Sequence, residues 1–159
     1  MAGMFPRLAG QHMAYSYREA VAIINGTRTF GQSTAMRSSR ELVGLTDQDL
    51  LDVAAYYARQ KTKAGKSGAD PNAIVLGKRL YHVGKLERKI AACAACHGAN
   101  GAGIPDIFPR VAPQHAEYTK TQLYAYRSGA RKHVMMDSVI ATLSDDEIHA
   151  LADYLQGLH

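Results

Sequence analysis

Residues 91–101 read AACAACHGANG, and they place two cysteines two residues apart with a histidine directly after the second. Small residues and glycines surround these three side chains. Cys93 and Cys96 are the only cysteines of the chain, which excludes a disulfide framework. The cluster of Cys93, Cys96 and His97 is the strongest chemical signal in the sequence, and the interpretation of the fold starts from it.

Two uses of this cluster fit the rest of the chain poorly. A structural zinc site needs four protein ligands, and no second close pair of Cys or His is present. A thioredoxin-like redox pair opens a helix in a βαβ unit, whereas Cys93 and Cys96 are predicted at the end of a helical segment over 87–97. Both uses stay open as minor alternatives.

Covalent haem attachment uses all three side chains. Two thiols at this spacing add to the two vinyl groups at one edge of a porphyrin, and the adjacent His97 ligates the iron from one face. A thioether is the usual sixth ligand of an electron carrier because soft sulfur favours ferrous iron. Met135 and Met136, in a polar segment, are the candidates, although adjacent methionines also serve as core filler.

The chain contains an internal repeat. The stretch FPRLAGQHMAYSYREAVAIINGTR (5–28) overlays FPRVAPQHAEYTKTQLYAYRSGAR (108–131) with an offset of 103 and ten identities in twenty-four positions. Further on, LTDQDLLDVAAYY (45–57) overlays LSDDEIHALADYL (143–155) with an offset of 98. The first copy therefore has five extra residues between the two blocks, since 103 minus 98 is 5. We predict two copies of one small fold.

The repeat divides the chain into a partial first domain over 1–60, a linker over 61–72 and a complete second domain over 73–159. The net charge is +5, but acids and bases are interleaved in both copies and the linker alone has three lysines against one aspartate. This pattern indicates a basic linker rather than a nucleic-acid groove. No apolar stretch approaches the roughly 20 residues of a membrane span, so we predict no transmembrane segment.

Each copy is predicted to be helical, because no run of alternating β-branched residues favours a sheet. Thr46 and Ser144 are predicted N-caps, and Ser144 with Glu147 is predicted to form a capping box. Further helices are predicted over 73–82, 87–97 and 115–128. Gly84 separates the first two of these helices, and Gly129 ends the third. The fold class is therefore all-α.

The second half resembles the class I cytochromes c, and more narrowly the bacterial cytochrome c4 family with two tandem domains and two haems. The matching stretches are CAACHGANGAG, FPRVAPQHAEYTKTQLYAYRSG, a loop that contains methionine, and LSDDEIHALADYLQGLH. They cover 73–159, and 4–60 matches more loosely. The resemblance implies two tandem cytochrome c-like helical domains, of which the first is incomplete at its N-terminus.

The resemblance also implies roles for the candidate site residues. Cys93 and Cys96 would form thioethers to haem c, and His97 would be the proximal ligand. The distal methionine of the family lies seven residues before the leucine that opens the last helix. Counting back from Leu143 gives Met136, and Met135 is the fallback.

Four further residues are candidates for contact with the cofactor. Arg110 is expected either to pair with a haem propionate, since guanidinium and carboxylate match bidentately, or to be a solvated loop arginine. Ile104, Pro105 and Phe108 are expected to wall the haem edge and to exclude water from it, which helps to set the potential.

The first copy lacks the attachment sequence. Subtracting 103 from 93 puts the counterpart of Cys93 at −10, upstream of Met1. Either the protein extends upstream, which we expect, or the first copy has lost its haem. The chain can attach one haem c, and a second is expected if an upstream CxxCH exists. Ser38 stands where a distal methionine is expected, and the nearby Met36 is the candidate ligand of a first haem.

These observations predict a periplasmic electron-transfer cytochrome that carries single electrons and has no catalytic acid, base or nucleophile. The resemblance implies delivery from a quinol-oxidising or dehydrogenase complex to a terminal oxidase, with peripheral docking on such complexes. No signal peptide is visible at the start of the sequence. The alternatives are an electron-entry subunit of a larger oxidoreductase and a haem peroxidase, which Met135 and Met136 disfavour.

Overall fold

The computed structural model describes residues 3–159, and these residues fold almost entirely into helices. Within that range no strand forms, and the isolated β-bridges pair Lys85 with Ile90 and Ile104 with Phe108. The prediction of an all-α fold is confirmed.

Three helices lie in the first half and five in the second half of the described chain. The helices of the first half are α1 (Met13–Ile24), α2 (Ser33–Arg37) and α3 (Asp47–Ala58). Those of the second half are α4 (Pro71–His82), α5 (Ala94–His97), α6 (Ala116–Ser128), α7 (Val134–Ile140) and α8 (Asp145–Gly157). A 3₁₀ turn at Leu86–Arg88 lies between α4 and α5. The division into 1–60, 61–72 and 73–159 stays a prediction.

The predicted helix starts are confirmed by their hydrogen bonds. Ser144 accepts from the Glu147 N–H at 3.2 Å, and the Glu147 carboxylate accepts from the Ser144 N–H at 2.8 Å, which is a capping box at the start of α8. Thr46 makes the same reciprocal pair with Asp49 at the start of α3. Helix α6 ends as predicted at Gly129, whose φ of +74° is left-handed.

The core of the second half forms where α4 crosses α8. Leu80 and Tyr81 of α4 pack with Ile148 and Leu151 of α8, and all four are buried. Gly77 permits the close approach, since a Cβ atom there would lie 2.1 Å from the carbonyl oxygen of Ala150. Helix α6 also packs against α8. Helix α4 also contacts α5, which carries Cys96 and His97.

The prediction of a helix over 87–97 is wrong for most of its length. Lys85 and Ile90 exchange two backbone hydrogen bonds of 2.8 and 3.0 Å, which close a tight turn where a helix was expected. Gly84 enters this turn with a φ of +73°, and only Ala94–His97 is α-helical. The predicted methionine loop is also wrong, because Met135 and Met136 belong to α7.

The two halves meet through a pair of equivalent contacts. The Gln11 side chain bonds the backbone N–H and C=O of Arg110 at 2.9 and 2.8 Å. The Gln114 side chain bonds the same two groups of Arg7 at 2.8 and 3.2 Å. Because 103 residues separate each pair of counterparts, the same contact occurs twice with the partners exchanged. The halves are therefore related by an approximate two-fold axis.

The segment between α3 and α4 lies on the second half. The amide of Gln156 accepts from the N–H of Ala116 at 2.9 Å and donates to the carbonyl oxygen of Lys66 at 2.7 Å. A Cβ atom at Gly65 would lie 1.6 Å from the backbone oxygen of Gln156. This lysine-rich segment is packed against the helices of the second half rather than extended into solvent.

None of the helices in residues 3–159 is both long enough and apolar enough to cross a membrane.

Candidate functional site

One open cavity collects the side chains of the predicted site. Cys93, Cys96, His97, Met135 and Met136 all line it. Most of its remaining wall is apolar and comes from α4, α6, α7, α8 and the loop before α6. Residues of this apolar wall include Tyr81, Ile107, Phe108, Val111, Leu123, Val139, Ile140, Leu151 and Leu155. The cavity thus brings two thiols, an imidazole and two thioethers to one apolar space.

His97 is held in one orientation. It is the last residue of α5, and its side chain lies 8% exposed at the cavity. Its Nδ1 lies 2.9 Å from the carbonyl oxygen of Pro109, so Nδ1 carries the proton and donates it there. Burial lowers the pKa of His97, and this outweighs the effect of that hydrogen bond. The imidazole is therefore neutral near pH 7, and the Nε2 lone pair is free to act as a ligand.

Cys93 and Cys96 are brought together by the short helix α5. Cys93 is its N-cap, and its carbonyl oxygen accepts from the N–H groups of Cys96 and His97 at 3.2 and 2.9 Å. Both thiols are half-buried and unpaired. Burial raises the pKa of the Cys93 thiol to about 11, so this thiol is protonated at neutral pH. The pair opens a single helical turn rather than ending a long helix.

The two methionines differ in burial although both line the cavity. Met136 is half-buried and packs against the core of the second half, whereas Met135 is 46% exposed. Met36, the candidate for a first haem, is an exposed residue of α2 in the first half and does not line this cavity.

Of the other residues predicted to contact the cofactor, one lines the cavity and three do not. Phe108 lines the cavity, and its ring lies edge-on to the His97 ring with 6.1 Å between centroids. Ile104, Pro105 and Arg110 are not among the residues that line the cavity. The guanidinium of Arg110 instead donates to the carbonyl oxygens of Gly10 and Ala112 at 2.9 and 3.2 Å. Its contact with a propionate stays a prediction that these contacts do not support.

Sequence reasoning missed several polar residues of the cavity wall. Tyr15 and Glu19 of α1 and Arg131 after α6 line the cavity, although α1 belongs to the first half. The internal repeat contains a signal for some of these residues. Tyr15 is identical to its counterpart Tyr118, and Arg131 is identical to its counterpart Arg28, and these are two of the ten identities between the copies. Those identities mark residues of the interface between the halves.

Comparisons with known proteins agree with this geometry. The family model described as cytochrome c matches residues 74–159. Cytochrome c4 from Azotobacter vinelandii is 40% identical over 164 residues, which cover 98% of this chain and 77% of that protein. The chain belongs to the class I c-type, di-haem cytochrome c4 family.

Solved structures of similar proteins share the fold. The crystal structure of reduced recombinant cytochrome c4 from Pseudomonas stutzeri matches with a TM-score of 0.88 and 38% identity, over 99% of this chain and 86% of that chain. A thiosulfate dehydrogenase from Marichromatium purpuratum matches with a TM-score of 0.83 and 32% identity, over 98% of this chain and 33% of that chain.

The cavity fits the cofactor of the cytochrome c4 family. The two thiols and the adjacent imidazole are the groups that attach haem c, and the apolar wall with its two thioethers is compatible with that cofactor. Cys93 and Cys96 belong to the haem c attachment sequence CAACH of this electron-transfer haem cytochrome.

Proposed function

We propose that the chain is a periplasmic electron carrier in which Cys93 and Cys96 would hold one haem c through thioethers and His97 and Met136 would ligate its iron. The observation that carries this proposal is that all four side chains line one apolar cavity. When bound, haem c supplies a one-electron couple between ferric and ferrous iron.

The protein contributes ligand orientation and exclusion of water. The hydrogen bond from His97 to the Pro109 carbonyl oxygen fixes the tautomer that presents Nε2 to the cavity. Met136 is proposed over Met135 because its side chain is already packed against the core, so less side-chain entropy is lost when the sulfur becomes a ligand. The apolar wall favours the less charged ferrous state.

The partners we propose are redox proteins. Similarity to cytochrome c4 supports an electron carrier. The proposed donor is a quinol-oxidising or dehydrogenase complex, and the proposed acceptor is a terminal oxidase. A periplasmic location and peripheral docking on those complexes are part of the same proposal. The proposed organisation remains a partial domain over 1–60, a linker over 61–72 and a haem domain over 73–159. A first haem with Met36 as ligand is proposed only for a chain that has an upstream CxxCH.

A second candidate function is an electron-accepting module of a larger oxidoreductase. The match to one third of the thiosulfate dehydrogenase chain supports it. Mass measurement of the protein purified from its native membrane and periplasmic fractions separates the two candidates. A stable larger complex with dehydrogenase activity favours the module, and a small protein that exchanges electrons with several partners favours the carrier.

The proposal is tested by haem content per chain and by ligand variants. Pyridine haemochrome absorbance is measured on holoprotein whose intact mass and N-terminus are known. Met136→Ala is expected to abolish the weak charge-transfer absorption that a methionine sulfur gives on ferric haem, and the matched variant Met135→Ala is expected to retain it. Absence of covalent haem contradicts the proposal, and the reverse pattern of the two variants assigns Met135.

A further inference from the structure

Three aromatic side chains connect the cavity with the protein surface where α4 crosses α8. Tyr81 of α4 lines the cavity and is 0% exposed. The centroid of its ring lies 5.8 Å from that of Tyr154 of α8, which is half-buried. The Tyr154 hydroxyl lies 2.8 Å from Nε2 of His82, and His82 is exposed. We call Tyr81, Tyr154 and His82 the aromatic path.

The two tyrosines of this path differ in the group beside their hydroxyl. The Tyr81 hydroxyl donates to the carbonyl oxygen of Gly98 at 2.6 Å, and a peptide oxygen is too weak a base to take up the proton. Tyr154 lies beside the imidazole of His82, which takes up a proton near neutral pH. When the proton of His82 is on Nδ1, its Nε2 accepts the hydrogen bond from Tyr154.

A phenol loses an electron far more readily when a base takes its proton at the same time. Burial raises the pKa of Tyr154, so at neutral pH the phenol still has its proton. Tyr154 with His82 is therefore easier to oxidise than Tyr81, although Tyr81 lies nearer to the cavity. An electron vacancy that enters the path at Tyr81 moves outward to Tyr154.

Three other tyrosines line the cavity but lie beside guanidinium groups. Tyr15 accepts a hydrogen bond from Arg131 at 3.0 Å, and the same guanidinium lies 4.7 Å from the centroid of the Tyr126 ring. Tyr118 accepts from Arg28 at 3.1 Å. A guanidinium cannot take up a proton, and its positive charge opposes removal of an electron from a phenol. These contacts disfavour oxidation of the three tyrosines.

We propose that the aromatic path conducts one oxidising equivalent from the haem to the protein surface when hydrogen peroxide reacts at the cavity, and that Tyr154 with His82 holds it as a phenoxyl radical. This inference rests on the proposed function, because the haem is the group with which peroxide reacts.

The electrons and protons of this step balance. The O–O bond of peroxide breaks as it takes up two electrons, one from the haem and one from Tyr154 by way of the Tyr81 ring. Peroxide is thereby reduced to the oxidation level of water, with protons taken from solvent. The phenolic proton of Tyr154 passes to Nε2 of His82, which leaves a neutral phenoxyl radical beside an imidazolium.

The path would protect the cavity from oxidation. Met135 and Met136 line the cavity, and oxidation of a methionine to its sulfoxide makes an apolar side chain polar. An oxidising equivalent that has moved to Tyr154 lies beside the exposed His82, where a reductant in solution can remove it. The thioethers are then spared.

The chain offers a matched control pair of the same chemistry. The Tyr124 hydroxyl lies 3.0 Å from Nε2 of His149, and the two rings are 6.1 Å apart. Tyr124 does not line the cavity, and within residues 3–159 the aromatic ring that contacts it is that of His149. The guanidinium of Arg127 also lies 4.9 Å from the centroid of the Tyr124 ring, where its charge disfavours oxidation.

The test uses electron paramagnetic resonance of the ferric holoprotein, frozen within a second of mixing with hydrogen peroxide. A tyrosyl signal is expected, and growth on ring-deuterated tyrosine is expected to narrow it. Tyr154→Phe, which removes only the hydroxyl group, is expected to lose most of this signal. Tyr124→Phe is expected to retain it. Haem content and the absorption spectrum of each variant show that the cofactor site is intact.

His82→Gln tests the role of the base. It retains Tyr154 but removes the imidazole that takes up the proton, and it is expected to lower the yield of the radical, whereas His149→Gln is expected to leave the yield unchanged. Absence of a tyrosyl signal from holoprotein with covalent haem overturns this inference alone, as does an equal signal in Tyr154→Phe. A preparation without covalent haem contradicts the proposed function and this inference with it.

Discussion

Leu151 of α8 is 2% exposed, whereas Val53, which occupies the same repeat position in α3, is 49% exposed. Helix α8 packs between α4 and α6, and Leu151 also lines the cavity. Among the described helices α3 contacts α1 but none that corresponds to α4. Two helices with the same apolar pattern therefore bury different amounts of side chain.

This difference predicts unequal effects of truncation. Leu151→Ala is expected to lower the free energy of unfolding by about 2–5 kcal/mol because it opens a cavity in a packed core. Val53→Ala is expected to change it by less than about 1 kcal/mol, since a half-exposed side chain loses little burial. Urea unfolding of the holoproteins, followed by circular dichroism, measures both. Equal losses would contradict the different packing of α3 and α8.

Gly77→Ala is expected to destabilise the protein although alanine favours helices. The new Cβ would lie 2.1 Å from the Ala150 oxygen and 2.7 Å from the Tyr154 Cβ. Overpacking of this kind costs about 1–3 kcal/mol, which outweighs a helix-propensity gain of about 1 kcal/mol. Gly44→Ala is the control, because Gly44 has a φ of +88° and no atom near its Cβ direction, so only backbone strain applies. Thermal unfolding of both variants is compared, and a more stable Gly77→Ala protein would refute the close approach of α4 and α8.

The capping box of α8 predicts that removal of its cap lowers the stability of the protein. Ser144→Ala removes the acceptor of the Glu147 N–H and is expected to cost about 1 kcal/mol of unfolding free energy. Ser38→Ala is the control, because that hydroxyl bonds the Thr34 carbonyl oxygen on an exposed surface, and a change within about 0.5 kcal/mol is expected. Chemical denaturation measures the difference, and an unaffected Ser144→Ala protein would show that this cap does not stabilise α8.

Glu147 predicts a dependence of stability on pH. Burial acts to raise the pKa of its carboxyl, but the Ser144 N–H and the cations of Lys85 and Arg88 outweigh this, and the pKa lies below its ordinary value. Because the pKa of Glu147 is lower in the folded protein, its carboxylate stabilises the fold fully at pH values above the pKa of the unfolded state, about 4.3. That stabilisation is lost as the pH falls from there through the folded value.

The variant Glu147→Gln is therefore expected to lose less stability than the original protein when the pH falls below about 4.3. Unfolding free energies at a series of pH values give the two slopes. Glu87→Gln, at an exposed position of the neighbouring 3₁₀ turn, is expected to leave the slope unchanged. Parallel acid profiles for the original protein and Glu147→Gln would contradict the prediction.

Local signals in the sequence predicted the helix ends well. Thr46, Ser144 and Gly129 act through hydrogen bonds and backbone conformation within a few residues, and these operate regardless of the surrounding fold. The segment 87–97 was predicted wrongly because its conformation depends on a turn closed between Lys85 and Ile90. The methionine segment was predicted as a loop because its short helix is stabilised by packing on the core and not by its own propensity.

The amino-acid sequence by itself determined the all-α class, the internal repeat and the haem c attachment sequence, since each follows from residue types at fixed spacing. Only the tertiary structure decided that α1 contributes Tyr15 and Glu19 to a cavity built by the second half. It also decided that Arg131, and not Arg110, lines that cavity. The physical reason is that such placements depend on how two separate halves pack across an interface, which no local spacing encodes.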